Sequence, residues 1–178
     1  MTTKMVPTIE DYTDIRTSEI IHTFPRKTIQ VYFDGLCQPC NPGGIACYAF
    51  IIKNKEENTI YSEYGLAANG SINNVAEYTA IIKALEWLLA NNYENENIII
   101  KGDSQLVICQ IKRNFKVRAP NIIPLYRKVM SLISKFNCIQ IEWIPRDQNK
   151  EADRLSNYAY TKVIADNAEL RENIKLSF

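Results

Sequence analysis

The sequence predicts an α/β fold in which helices flank a five-stranded mixed sheet. Three segments rich in β-branched and aromatic residues, 29–33, 45–53 and 59–65, follow one another through short loops, as in an antiparallel meander. A helical segment then separates the third strand from a fourth at 97–101. A right-handed crossover through this helix lets the fourth strand lie parallel to the first, and the order of elements is βββαβααβα.

The composition is that of a single globular domain. The chain has 178 residues, of which 46% are hydrophobic and 23% charged. We expect residues 1–26 to be a flexible extension, 27–163 to form the domain and 164–178 to be a tail that can continue as helix. No apolar run suits a membrane span and the N-terminus lacks a signal-peptide pattern, so we expect a cytoplasmic protein without a membrane partner. We also expect a monomer.

The first strand is expected to end on an acidic residue. Its apolar run stops at Asp34, and Gly35, Pro39 and Pro42 in the following loop should prevent its continuation. A carboxylate at the end of a buried strand is costly to desolvate unless a cation meets it. Asp34 therefore either opens a turn or is a metal ligand, and the residue alone leaves both open.

A second acid lies on the predicted helix 74–91. This helix has an apolar stripe of Ile81, Ala84, Leu85 and Leu88, and Glu77 lies at the N-terminal end of the same stripe. Glu77 is either a first-turn acid favoured by the positive end of the helix dipole or a functional group on the buried side.

Two more acids follow. The fourth strand is continuously apolar, so we expect both of its faces to be buried, and it leads into Asp103. The last helix has Asn149 as a candidate N-cap and Asp153 in its first turn. The remaining predicted elements are helices at 104–111 and 122–136, a strand at 140–143 and the last helix at 150–163.

The predicted topology brings these four carboxylates to one edge of the sheet. Oxygen ligands without cysteine or histidine favour Mg²⁺ or Mn²⁺, and a pair of such ions supports hydrolysis of a phosphodiester bond. The formal net charge is only +1. With four carboxylates assigned to a metal site, however, the remaining surface is modestly basic and can bind phosphates.

The chain has five cysteines, an odd number that argues against a disulfide framework. Cys37 and Cys40 form a single C-x-x-C pair. A closed zinc site lacks ligands, because the sequence offers no second pair and no nearby histidine. The pair is either a redox bridge or two small loop residues.

Four motifs carry a resemblance to a known family. They are DGLCQPCNPGG at 34–44, INNVAEYTAI at 72–81, KGDSQLV at 101–107 and NKEADRLSNYA at 149–159. In this order and spacing they resemble type 1 ribonuclease H, in the compact archaeal and bacterial form without a basic protrusion, over residues 28–163. The resemblance implies a ribonuclease H-like fold.

The resemblance also implies an activity and its cofactors. Such an enzyme is an endonuclease that cleaves the RNA strand of an RNA–DNA hybrid and leaves 5′-phosphate and 3′-hydroxyl ends, with two Mg²⁺ or Mn²⁺ ions per active site. On the matching positions, Asp34 would bridge both ions and Asp153 would complete the site of the ion that activates water. Glu77 and Asp103 would hold the other ion.

The resemblance further implies contacts to the substrate. Positions that contact 2′-hydroxyls in the minor groove, or the strands near the cut, are matched by Cys37, Asn41, Pro42, Gly43, Asn73, Asn74 and Gln105. We expect phosphate binding from a basic segment, whose charges also suit a solvated surface. This segment contains Lys112, Arg113, Lys116 and Arg118.

The chain departs from the family pattern at three points. The loop 145–150 has no histidine; Arg146 can contact phosphate there, but it does not titrate near neutral pH. Ile72 replaces a threonine that belongs to a DNA-phosphate pocket in the family, and Ser71 can take over the role of this threonine. Residues 1–26 are too short for a separate hybrid-binding domain, so we expect low processivity.

Other functions stay open. One alternative is a nucleic-acid-binding module of this fold with weak or no catalysis, against which the presence of all four acids argues. Another is a different nuclease, such as a junction resolvase, an integrase-like enzyme or a detached reverse-transcriptase domain. The NPGG loop and Gln105 favour hybrid substrates. Cleavage of double-stranded RNA is also left open.

Overall fold

The sheet of this protein has five strands in a computed structural model that describes residues 26–170. The strands are β1 (Thr28–Gln38), β2 (Gly44–Asn54), β3 (Thr59–Ser71), β4 (Asn97–Gly102) and β5 (Cys138–Trp143). Their order in the sheet is β3-β2-β1-β4-β5. β1 to β3 pair antiparallel, whereas β4 is parallel to β1 and β5 is parallel to β4. The predicted mixed sheet and the order βββαβααβα are confirmed.

Helices cover the sheet on both faces. They are α1 (Asn73–Ala90), α2 (Gln105–Ile111), α3 (Ile123–Ile133) and α4 (Lys150–Asp166), with a short 3-10 turn at Arg146–Gln148. The main core joins one face of β1 to α1, with Val31, Phe33, Ile81 and Leu85 at its centre. α4 packs on the opposite face, over β1, β2 and β3. No described helix is long and apolar enough to cross a membrane.

β1 is longer than the sequence predicted. It continues through Asp34 to Gln38, and Asp34 pairs with Ala49 of β2. Its parallel pairing with β4, by contrast, stops at Tyr32. The expectation that the strand ends at Asp34 was therefore wrong. Asp34 lies where β1 has just lost one of its two neighbours, which leaves one side of this residue open.

Gly35 lets the strand pass beneath the start of α1. A Cβ at this position would lie 2.4 Å from the backbone nitrogen of Glu77 and 2.7 Å from the Cβ of Ala76. The glycine signalled a strand break in the sequence, but here it stays in the strand because only a residue without a side chain allows this close approach.

The buried face of β4 also differs from the prediction. Ile98 and Ile100 are buried, whereas Ile99 and Lys101 on the other face are only half-buried. The expectation of two buried faces was wrong because α4 packs over β1 to β3 rather than over β4. The predicted N-terminal extension and the end of the tail, residues 1–25 and 171–178, lie outside the described residues.

Replacement Gly35→Ala tests the close approach of α1. Because the added methyl group meets backbone atoms that cannot rotate away, we expect the free energy of unfolding to fall by about 1–3 kcal/mol or more. Urea unfolding followed by circular dichroism measures the change. The control is Gly65→Ala, whose Cβ would lie 3.2 Å from the Tyr48 ring, and an equal loss in both variants would contradict the prediction.

Candidate active site

The four acids predicted as a group line one cleft. Asp34 on β1, Glu77 on α1, Asp103 after β4 and Asp153 on α4 all face a cleft of about 340 Å³. Of the other predicted site residues, Cys37, Asn73 and Arg146 line the same cleft. The structure therefore brings together side chains from both helical layers and from the middle of the sheet.

Glu77 is buried and Asp34 is half-buried, and a hydroxyl group donates a hydrogen bond to each of them. The hydroxyl of Ser156 donates a hydrogen bond to Oδ2 of Asp34. Glu77 is 7% exposed, and its two carboxylate oxygens accept hydrogen bonds from Ser104 Oγ at 2.8 Å and from Asn73 Nδ2 at 2.9 Å. Glu77 lies beyond the first turn of α1, so its interpretation as a first-turn acid was wrong.

The other two acids bond to residues that follow β5. The amide group of Asn149 donates to Oδ1 of Asp103 at 3.0 Å and to the backbone carbonyl of Phe33 at 2.9 Å. Arg146 Nη2 lies 2.8 Å from Oδ1 of Asp153. Asp153 is in the first turn of α4, as predicted. Each of the four carboxylates thus has a hydrogen-bond or ion-pair partner in the protein.

Burial disfavours the charged form of the two inner acids. It raises the pKa of Asp34 from 3.8 to about 6; the Ser156 hydrogen bond opposes this shift, and the charges of Asp103 and Asp153 add to it. Burial also raises the pKa of Glu77 from 4.5 to about 7, against the Ser104 hydrogen bond and with the charges of Asp34 and Asp103. A cation in the cleft would relieve this repulsion.

The chemistry of the cleft fits a hard divalent cation. Its acidic side chains offer oxygen ligands without sulfur or imidazole, which suits Mg²⁺ or Mn²⁺. The acids are nevertheless spread apart: within residues 26–170, no three Asp, Glu, His or Cys side chains stand close enough to hold one ion. Ion binding therefore requires the side chains to exchange their present hydrogen-bond partners.

The loop after β1 is tied to the start of α1. Asn41 Oδ1 accepts a hydrogen bond from the backbone N–H of Asn73 at 3.2 Å. The backbone N–H of Gly43 donates to the carbonyl of Ser71 at 2.7 Å, and Gly43 has a φ of +102° that suits glycine. This loop, which includes Pro42, is therefore held against the cleft.

The remaining predicted contacts lie outside the cleft. Gln105 is exposed at the first position of α2, and Asn74 is half-buried in the first turn of α1. In the basic segment between α2 and α3, all four cationic residues are exposed to solvent: Lys112, Arg113, Lys116 and Arg118. The structure therefore does not bring these six residues into the cleft with the acids.

The cysteine pair forms no bridge. Both Cys37 and Cys40 are free thiols, as are the other three cysteines. Cys37 Sγ donates weakly to the carbonyls of Cys40 at 3.2 Å and Ser71 at 3.4 Å. The redox-bridge interpretation was therefore wrong; Cys37 is a small residue near the end of β1 and Cys40 a small residue of the loop that follows.

Three positioning residues were missed by the sequence analysis. Asn149 was predicted to cap α4, but its side chain makes no capping hydrogen bond and instead joins β1 to Asp103. Ser156 follows Asp153 at the helical spacing that places both side chains on one face, which was a usable signal. Ser104 both caps α2 and donates to Glu77, and its position directly after Asp103 gave no such signal.

The sheet order and the position of the acids define a ribonuclease H-like fold. The chain belongs to the family described as reverse transcriptase-like, whose model matches residues 33–159, and it is a homologue of the type 1 ribonucleases H. In agreement with the compact form, the described link between α2 and α3 contains no additional helix.

Curated relatives share part of their length with the chain. This chain is 34% identical over 119 residues to the bifunctional protein Rv2228c of Mycobacterium tuberculosis. The matched residues make up 67% of this chain but only 32% of that protein. The chain is 32% identical over 131 residues to ribonuclease HI of Halobacterium salinarum, covering 74% of this chain and 63% of that protein.

A solved structure matches most of the described domain. LC11-RNase H1, isolated from compost by a metagenomic approach, was crystallised in complex with an RNA/DNA hybrid. It superposes on this chain with a TM-score of 0.70 at 29% identity, covering 76% of this chain and 99% of that one.

Asn149→Asp tests the link between β1 and Asp103. The substitution keeps the size of the side chain but replaces an N–H donor by a carboxylate facing two oxygens. We expect it to lower the free energy of unfolding by about 2–3 kcal/mol or more, and Asn149→Ala to cost less. Thermal unfolding measures both, with Asn157→Ala as an exposed control. An Asn149→Asp variant as stable as the unaltered protein would contradict the role of the amide.

Asp34→Asn should stabilise the metal-free protein at neutral pH. Folding raises the pKa of Asp34 to about 6. The folded protein therefore loses stability as the pH rises from the unfolded pKa of this acid to its folded pKa. Removing the charge should therefore add about 1–3 kcal/mol at pH 8, and the gain should shrink as the pH falls towards 4. Urea unfolding in the presence of a chelator measures it, and a pH-independent gain would refute this origin.

Proposed function

We propose that this protein is an endonuclease that hydrolyses the RNA strand of RNA–DNA hybrids and leaves 5′-phosphate and 3′-hydroxyl ends. The observation that carries the proposal is the set of four carboxylates, from a strand, a strand end and two helices, that line one cleft. The resemblance of the four motifs to type 1 ribonuclease H implies a role in the reaction for the same four residues, and the homology to ribonuclease HI of Halobacterium salinarum supports the proposed activity.

Asp34, Glu77, Asp103 and Asp153 would hold Mg²⁺ or Mn²⁺, two ions per site. When bound, such ions activate a water molecule and stabilise charge on the leaving oxygen. The protein itself orients the carboxylates. Burial raises the pKa values of Asp34 and Glu77, and repulsion by the other acids adds to the shift. A cation beside the two carboxylates would favour their charged forms and so would bind well here.

Arg146 supplies a mobile positive charge at the rim of the cleft. Its side chain is 78% exposed, and its guanidinium pairs with Asp153, which is 29% exposed. A surface pair of this kind contributes little to stability, so the guanidinium can leave it for a better partner. Asp153 would hold a cation, and the Arg146 guanidinium would then bind a substrate phosphate in the place of the family histidine.

Selection of the hybrid would come from the surface around the acids. The loop with Asn41, Pro42 and Gly43, the start of α1 and Gln105 lie on the side where a minor groove carrying 2′-hydroxyls would be read. The complex of LC11-RNase H1 with an RNA/DNA hybrid supports this substrate. Cleavage of double-stranded RNA is a further activity to test, because that duplex offers the same hydroxyls on both strands.

A second candidate function is a binding module of this fold with weak or no catalysis. One observation favours it: among the described residues, no three Asp, Glu, His or Cys side chains are close enough together to hold a metal ion. A protein of this kind would bind hybrid but not cut it.

Cleavage of labelled substrates decides between the two candidates. We expect cutting of the RNA strand of a hybrid with Mg²⁺ or Mn²⁺, no cutting with chelator, and a loss of at least about 1000-fold in Asp34→Asn, since it removes a group central to the reaction. Double-stranded RNA, double-stranded DNA and single-stranded RNA are tested in parallel. Hybrid binding without cleavage by the unaltered protein would favour the binding module.

Gln105→Ala tests the reading of the minor groove. Because Gln105 is exposed and lies outside the acid cluster, its loss should leave the fold intact but lower kcat/KM on hybrids by about 10-fold, the effect of losing a hydrogen bond to substrate. Gln140→Ala, at an exposed position on β5, is the matched control. Unchanged cleavage by the Gln105 variant would remove this residue from the recognition surface.

A further inference from the structure

Trp143 is the last residue of β5 and lies beside the acid cluster. It pairs in register with Gly102, the residue before Asp103. Its indole N–H donates to the backbone carbonyl of Asp103 at 3.1 Å. This hydrogen bond fixes the ring against the loop that leads into α2, where Gln105 is the first helical residue.

The indole is nevertheless open to solvent. Trp143 is 51% exposed, and Leu106, the second residue of α2, is 44% exposed. The other tryptophan of the chain, Trp87, differs in its surroundings: it is half-buried and stacks on Tyr61 at 4.6 Å and near Tyr93 at 5.8 Å. The exposed ring of Trp143 is a large apolar surface directly beside the acids, and a bound ligand can cover it.

The orientation of Trp143 limits what it can contact. The polar edge of the indole is already bonded to the protein, so the part that remains for a ligand is the apolar face and outer edge of the ring. Bases inside a duplex are stacked on one another and are not free to stack on a side chain. The sugars, in contrast, line the wide and shallow minor groove of an A-like helix.

We propose that Trp143 is a substrate-positioning residue whose exposed indole packs against a sugar ring of the bound hybrid, next to the nucleotides read by Gln105. The inference rests on the proposed function and extends it to a contact surface on the β5 side of the acids. The contact is apolar and needs no cation. It fixes the duplex by shape while the carboxylates act on the phosphate.

A fluorescence experiment tests the contact directly. Trp87→Phe leaves Trp143 as the single tryptophan, because the chain has only two, and Asp34→Asn prevents cleavage. The double variant is titrated with a hybrid that carries a fluorescent label, and the anisotropy of the label reports binding independently of the tryptophan. We expect Trp143 emission to change at saturation and its quenching by acrylamide to fall at least about 2-fold, as a half-exposed ring becomes covered.

The matched protein with Trp143→Phe retains Trp87 and serves as the control. Since Trp87 lies in an aromatic stack away from the acids, its emission and quenching should stay constant. Hybrid binding with unchanged Trp143 emission and quenching would overturn the inference and leave the proposed function standing. Failure of the hybrid to bind at all would overturn both.

Kinetics separate a substrate contact from a purely structural role of the indole. Phenylalanine keeps an aromatic face but loses the N–H donor, whereas alanine loses both. In otherwise unaltered protein, Trp143→Ala should raise KM about 10-fold with little change in kcat, and Trp143→Phe should stay within about 3-fold of the unaltered protein. An equal fall in kcat for both variants would show that Trp143 acts only by positioning Asp103 through its N–H group, and would overturn the proposed contact with substrate.

Discussion

Negative charge concentrated at a half-buried edge of the sheet is the constraint around which the site is built. Four carboxylates share one cleft, and burial together with their mutual repulsion raises the pKa of Asp34 and Glu77. The protein tolerates this arrangement because each carboxylate accepts a hydrogen bond or ion pair from a neighbour. These partners stabilise the carboxylate charges, and a cation in the cleft would have to replace them.

The scaffold that imposes this arrangement is the end of β1. There the strand has lost its parallel neighbour β4 but still pairs with β2, so Asp34 is fixed in position and open on one side. Gly35 allows α1 to approach, and this approach brings Glu77 to the same cleft. Asn149 connects the β1 backbone to Asp103 and stands at the start of α4, which carries Asp153. One amide group thus joins three of the elements that supply acids.

The two sides of the cleft have different chemistry. On the α1 side, the loop with Asn41 and Gly43 is hydrogen-bonded to Ser71 and to Asn73, and Asn73 lines the cleft. On the β5 side the surface is aromatic and apolar, with Trp143 and Leu106 exposed. A duplex that crosses the cleft would meet hydrogen-bonding groups on one side and a flat apolar surface on the other. Both are suited to a minor groove, which offers hydroxyls and sugar faces.

The sequence by itself determined the order of strands and helices, the crossover that sets β4 beside β1, and the four acids as one group. These features could be predicted because the hydrophobic periodicity of a segment indicates its secondary structure, and the length of each connection limits how neighbouring strands pair. Tertiary structure alone decided where each element ends and which residues hold the acids. Gly35 signalled a break but stayed in the strand because α1 packs on it, and Asn149 signalled a cap but bonded to β1 and Asp103. Such contacts join residues far apart in the chain, and no local pattern encodes them.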